Sequence, residues 1–120
     1  MLGLDITDRI REAATLIRSA KYLTAFPGAG ISVESGIPPF RGSGGLWSTY
    51  NPRMLELEYF LAHPAKAWPV IREIFYDHFG KARPNKAHEV LAAWEVRGLL
   101  KTLITQNIDN PHNIAGSWTQ

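Results

Sequence analysis

At 120 residues with 45% apolar side chains, the chain is sized for one domain with a modest core, and nothing in it argues for disorder. Its 13 Lys and Arg against 11 Asp and Glu leave a net charge of only +2, with the basic residues scattered, which excludes a nucleic-acid footprint. The absence of cysteine excludes disulfides and thiolate chemistry within this stretch, and no window approaches the roughly 18 apolar residues of a membrane span, so a soluble cytoplasmic protein is the expectation.

Asp5 is placed to cap a first helix. Ile6, Ile10, Ala13, Ala14 and Ile17 fall on one face of it and charged residues on the other, as in a helix that covers a core. Tyr22 to Phe26 reads as a short buried strand, which Pro27 ends by removing a donor and holding Phe26 extended. Beyond it Gly28-Ala29-Gly30-Ile31-Ser32 has the layout of a phosphate cradle: glycines able to take positive φ, then N–H groups opening a helix. An ordinary strand-to-helix turn is the alternative, since Val33 stands where the dinucleotide fingerprint has its third glycine.

From Gly36 to Pro52 the chain is rich in Gly, Pro and Ser yet carries Phe40, Trp47 and Tyr50, the composition of a functional loop rather than a linker. Pro64 suits the first position of a helix whose Trp68, Ile71, Phe75 and Phe79 recur at helical spacing, most simply as core. Pro69 is tolerable there only in the first turn or with a kink. Asn85 is a fitting N-cap for a helix running to Arg97, with Ala87, Val90, Leu91 and Trp94 as its stripe and Gly98 as its stop. Leu99 to Thr105 then reads as a second buried strand.

Strand, long crossover and strand predict a parallel α/β sheet, whose ligands gather beyond the carboxyl ends of the strands. Pro27 to Ser32 and Gln106 to Asp109 both lie at such ends. Gln106, Asn107 and Asp109 offer amide and carboxylate partners suited to ribose hydroxyls and a carboxamide, or else form a polar turn that caps the next element. Arg41, on its glycine-rich loop, has a planar charged fork suited to a phosphate or a carboxylate, with simple solvation as the alternative.

Taken together and in order, Gly28-Ala29-Gly30-Ile31-Ser32, Gly36-Ile37-Pro38-Pro39-Phe40-Arg41-Gly42, Gly45-Leu46-Trp47, Pro84-Asn85-x-x-His88 and Thr105-Gln106-Asn107-Ile108-Asp109 resemble the motifs of the sirtuin family. The resemblance implies an incomplete Rossmann-like α/β fold with a helical insertion, residues 1–120 forming the N-terminal portion of an NAD-binding catalytic domain. It implies an NAD-dependent protein-lysine deacylase acting on an acyl-lysine protein or peptide: the acyl-lysine amide oxygen attacks C1′ of the nicotinamide ribose, nicotinamide leaves, and the acyl group moves to ADP-ribose. No nucleic-acid or membrane partner is expected.

On this resemblance the cofactor-binding residues are Gly28, Ala29, Gly30, Ile31, Phe40, Arg41, Trp47, Gln106, Asn107, Ile108 and Asp109. Asp109 and the backbone of Ile108 hold the nicotinamide carboxamide, Gln106 and Asn107 face the ribose, and Phe40 shields a cationic intermediate. Asn107, which positions water, and Arg41 are the candidate catalytic residues. Of the four histidines, His88 and His112 match family positions that support the site, while His63 and His78 match no motif. The family's catalytic histidine, its zinc-binding cysteines and its remaining strands are expected beyond Gln120, so zinc is a family expectation whose ligands this chain lacks. The isolated chain is then expected to be inactive, and a non-catalytic nucleotide-binding or pairing fragment and an NAD hydrolase stand as rival readings. Pro27 and Pro111 replace a family Thr and Leu, and Pro111 is expected to distort the turn below the nicotinamide pocket.

Overall fold

The computed structural model describes residue 3 and residues 5–117. Helix α1 (Ile6–Ser19) begins after Asp5, whose carbonyl accepts the N–H groups of Asp8 and Arg9 at 3.0 and 3.1 Å, although its carboxylate makes no cap. The expected apolar stripe is present, but α1 buries no residue, and Ile6 and Ile10 are 67% and 61% exposed. The stripe instead borders an open groove shared with Trp94 and Leu99, so α1 flanks the described core without covering it.

Strands β1 (Leu23–Ala25) and β2 (Leu100–Leu103) pair in parallel, with Leu23 opposite Leu100 and Ala25 opposite Leu103. Both are shorter than the apolar runs that encode them. Pro27 cannot donate to a ladder, and beyond Ile104, whose N–H reaches the Ala25 carbonyl at 2.9 Å, the chain turns. The crossover between them is helical: a 3-10 helix over Ala29–Ser35, then α2 (Leu46–Thr49), α3 (Leu57–Ala62), α4 (Pro64–Arg72) and α5 (Lys86–Val96). This is a partial Rossmann-like α/β fold, closed at the described C-terminal end by α6 (Pro111–Ala115).

Pro64 opens α4 as expected, but Pro69 lies inside it, and the helix passes directly into a π-helix over Glu73–His78. The wider i→i+5 turns shift the phase of the sequence around the axis. Ile74 therefore takes the fully buried position, whereas Trp68 is 55% exposed and Ile71, Phe75 and Phe79 are half-buried, so the aromatic stripe is not the core it was expected to be. The core consists of Ile74 with Ala67, Leu100, Leu103, Ala82, Ala92, Ile37 and Leu46.

Helix α5 starts in a full capping box: Asn85 Oδ1 accepts from the Ala87 and His88 N–H groups, and His88 Nδ1 accepts from the Asn85 N–H at 3.1 Å. Gly98 ends it at φ +76°, a conformation strained for any residue with a Cβ.

Candidate functional site

The carboxyl ends of β1 and β2 open on one crevice. Its inner cavity, about 220 Å³, is lined by Ala29, Phe40, Gln106, Asn107, Ile108 and Asp109, with Ile37, Pro38, Leu46, Phe75 and Phe79 supplying the apolar wall. A second cavity of about 340 Å³ shares Ala29, Phe40, Gln106 and Asn107 and extends to Phe26, Pro27 and Gly28. The two turns singled out in the sequence thus meet, although Gly28 and Asn107 are 79 positions apart along the chain.

The first turn departs from expectation in its dihedrals. Gly28 is extended, at φ −102° and ψ −168°, and neither Gly28 nor Gly30 takes positive φ. Their lack of a side chain has another use: no atom lies within 4 Å of where a Cβ would stand at either position, so the backbone faces open space that a ligand can enter. The helix that follows is 3-10 rather than α, with Ser32 fully buried beneath it. Gly30 and Ile31 line neither cavity, and the Ile31 carbonyl accepts from Asn85 Nδ2 at 2.7 Å.

The second turn is fixed by local bonds. Thr105 Oγ1 accepts the Asn107 N–H at 3.0 Å, and Asn107 Nδ2 donates to the Gly28 carbonyl at 2.9 Å. Asp109 is buried, and its Oδ1 has no hydrogen-bond partner among the described residues. Pro111 follows this turn. It occupies the first position of α6, where a missing N–H costs nothing, and Asn110 before it absorbs the bend at φ +68°.

In the intervening loop Phe40 reaches both cavities and stacks on Trp47, with ring centroids 5.4 Å apart. Trp47 therefore acts through Phe40 and lines neither cavity, and Arg41 is exposed and also outside both. Phe75 and Phe79, expected as core, are site residues. Their i,i+4 spacing was legible, but the π-helical phase that turns them towards Ile108 and Asp109 was not.

Behind the crevice lies a buried polar cluster. The His88 and His112 rings meet edge to face at 4.7 Å, and His88 Nε2 is 3.4 Å from Ser32 Oγ. Burial holds both imidazoles below the ordinary histidine value of 6.5, with Asp109 opposing the shift and His88 adding to it at His112. No histidine lines either cavity of the crevice.

Comparison with known proteins gives this arrangement a lineage, since residues 28–119 match the model of the Sir2 family. The chain belongs to that family. It is 46% identical over 110 residues to an NAD-dependent protein deacetylase of Caldivirga maquilingensis, covering 89% of this chain and 41% of that relative. To an NAD-dependent protein deacylase of Aeropyrum pernix it is 44% identical over 111 residues, covering 92% and 45%. Among solved structures, a point variant of a Sir2 homologue in complex with ADP-ribose superimposes with a TM-score of 0.83 at 43% identity, over 97% of this chain and 45% of that one. A Sir2 with a deacetylated p53 peptide and 3′-O-acetyl ADP-ribose gives 0.86 at 36%, over 92% and 44%. The chain therefore spans less than half the length of these Sir2 relatives.

Proposed function

We propose that these residues form the nicotinamide-ribose half of the catalytic site of an NAD-dependent protein-lysine deacylase, as the N-terminal portion of its NAD-binding domain. The observation that carries the reading is the meeting of Ala29, Phe40 and Gln106 to Asp109 around one cavity, with a buried carboxylate oxygen unpartnered at its wall. An orphaned buried acceptor of this kind costs about 1–3 kcal/mol, and an amide N–H from a ligand relieves that cost. NAD, when bound, supplies an electrophilic ribose carbon and a nicotinamide leaving group.

The chain's own residues then bind, orient and exclude water. Asp109 and the Ile108 N–H hold the carboxamide, while Gln106 and Asn107 face the ribose, Asn107 positioning water. Gly28, Ala29, Gly30 and Ile31 bring backbone close to the cofactor on its phosphate side. Phe40, backed by Trp47, shields the reacting carbon from solvent, and Arg41 orients the cofactor from the loop. The acyl-lysine of a protein or peptide is the second substrate. No histidine lines the two cavities of the crevice, and His112 lines only a smaller one beside the same turn, with Thr105, Asn107, Ile108 and Asp109, so no general base is assigned to these residues. Among the described residues no group of three His, Cys, Asp or Glu suits a metal ion.

The lack of a histidine at the cavity also favours a second reading, a module that binds ADP-ribose or pairs with another polypeptide without turnover. Nicotinamide release by the chain, with and without acetylated peptide, separates the cases. Peptide-dependent release supports the deacylase, peptide-independent release an NAD hydrolase, and ADP-ribose binding without release the module. Asp109→Asn adds a local check: in a complete protein it impairs nicotinamide chemistry more than ADP-ribose binding, and equal weakening of both overturns the placement of Asp109.

A further inference from the structure

His88 touches every part of the site's support. It sits at the third position of α5, is fully buried, and meets the cofactor-side 3-10 helix at Ser32, its own helix cap at Asn85 and α6 at His112. These contacts dictate its proton. The Asn85 backbone N–H can only donate, so Nδ1, 3.1 Å away, must present its lone pair. A neutral ring then carries its hydrogen on Nε2, the atom 3.4 Å from Ser32 Oγ, and that N–H donates to the hydroxyl.

Asn85 completes the clasp by donating from Nδ2 to the Ile31 carbonyl and to Ser35 Oγ at 2.7 and 3.0 Å. On its far face the His88 ring packs against His112, three residues after Asp109. We propose that His88 is a positioning residue which, through one fixed tautomer, locks the turn after β1 to the turn after β2 and so sets the geometry of the crevice.

Protonation breaks the lock for a steric and electrostatic reason. A hydrogen on Nδ1 faces the Asn85 N–H, two donors in one hydrogen-bond gap, and the cap and the Ser32 contact cannot both survive. The groups facing the ring are Ser32 from the 3-10 helix, Asn85 from the cap, His112 from α6 and Asp109 from the turn before it. Only Asp109 favours a proton on the ring, and burial opposes it. The lock therefore holds at neutral pH and opens on acidification.

Glutamine at this position offers an acceptor for the Asn85 N–H and a donor for Ser32 but does not titrate, whereas phenylalanine offers neither. The test has two arms, of which only the second rests on the proposed function. In the first, imidazole ¹⁵N shifts of the unaltered chain are expected to show His88 as the Nε2–H tautomer at neutral pH. An Nδ1–H tautomer, or a mixture in fast exchange, overturns the inference. In the second, ADP-ribose affinity is followed from neutral to acid pH. The unaltered chain is expected to lose up to about tenfold per pH unit once the ring protonates. His88→Gln is expected to retain binding without that dependence, and His88→Phe to bind weakly throughout. A flat profile for the unaltered chain, or a His88→Gln profile that falls in the same way, overturns it. Failure of the unaltered chain to bind ADP-ribose at any pH counts against the proposed function, and the tautomer arm then decides the role of His88 alone.

Discussion

The side-chain amide of Asn107 donates to the Gly28 carbonyl at 2.9 Å, so the two turns of the crevice are joined directly as well as through the sheet. Asn107→Ala removes that bond and leaves the Gly28 carbonyl to water. A hydrogen bond of this type contributes about 1 kcal/mol net, and the expected loss in urea denaturation is of that size. Gln106→Ala, at an exposed neighbour on the same turn, is expected to leave stability within about 0.5 kcal/mol, because it removes no comparable tie.

Asn85 carries more. Its Oδ1 accepts from Ala87 and His88, and its Nδ2 donates to Ile31 and Ser35, so one side chain caps α5 and holds the 3-10 helix below the crevice. Loss of an asparagine cap alone costs about 1 kcal/mol, and the stranded Ile31 carbonyl raises the cost of Asn85→Ala to roughly 2 kcal/mol. Asn85→Asp keeps the cap but sets a carboxylate oxygen against that carbonyl, so it is expected to fall between Asn85→Ala and the unaltered chain in the same denaturation series.

Acid weakens the fold through the same cluster. Burial lowers the pKa of both His88 and His112 below the ordinary 6.5, so below that pH the unfolded chain binds protons that the folded chain refuses. Stability is full above about 6.5 and falls as the pH drops towards the lowered folded values, because the unfolded state binds more protons in that window. Thermal midpoints measured across mildly acid pH are expected to decline, and His88→Gln is expected to remove part of the slope.

The parallel pair, the crossover, the Asn85 cap and the convergence of the two turns were all legible, because each is written in local chemistry: apolar runs, a proline stop, a cap residue, strand ends. What stayed hidden depends on phase and on distant partners. The π-helix at Glu73–His78 has no marker in composition, and it decides that Ile74 is buried while Phe75 and Phe79 face the crevice. The apolar stripe of α1 is plain in the sequence, but whether a stripe is covered depends on what packs against it, and here Ile6 and Ile10 stay exposed while Ile17 is half-buried. Gly28 and Gly30 were rightly singled out for a backbone approach, but open space rather than positive φ is the reason.

Gly45 has an ordinary φ of −71°, so its requirement is steric. A Cβ there lies 2.9 Å from the Arg41 backbone carbon and 3.0 Å from the Gly42 and Phe40 carbonyl oxygens, none of which is a flexible side-chain end. Gly45→Ala must shift the loop that carries Phe40 and that is pinned by Leu46 N–H to the Pro39 carbonyl at 2.7 Å and Trp47 N–H to the Phe40 carbonyl at 2.9 Å. The expected cost is about 1–3 kcal/mol. It is accompanied by loss of the Phe40–Trp47 stack, which is visible as a change in the Trp47 indole resonance.

Sirtuins that remove acidic acyl groups carry a Tyr-x-x-Arg pair on the helix after the Phe-Arg loop, and by resemblance the corresponding segment here is Val70-Ile71-Arg72-Glu73, with Val70 in place of the tyrosine and Glu73 in place of the arginine. In the structure Phe75 and Phe79 wall the inner cavity with Ile37, Pro38 and Leu46, while Arg72 and Glu73 line a different cleft together with Trp68 and Lys81. Among the described residues no cation lines the inner cavity, and Asp109 is the only charged one that does. An acyl-lysine that reaches the ribose beside the nicotinamide brings its acyl group against the apolar side of this cavity, where a distal carboxylate would lose hydration with no guanidinium fork to replace it, whereas a methyl or short alkyl group gains from the wall. A complete protein carrying these residues is expected to cleave acetyl-lysine peptides faster than succinyl-lysine peptides in kcat/KM, and Phe75→Arg is expected to narrow that difference. Faster cleavage of the succinyl peptide by the unaltered protein would show that the acyl group lies outside this cavity.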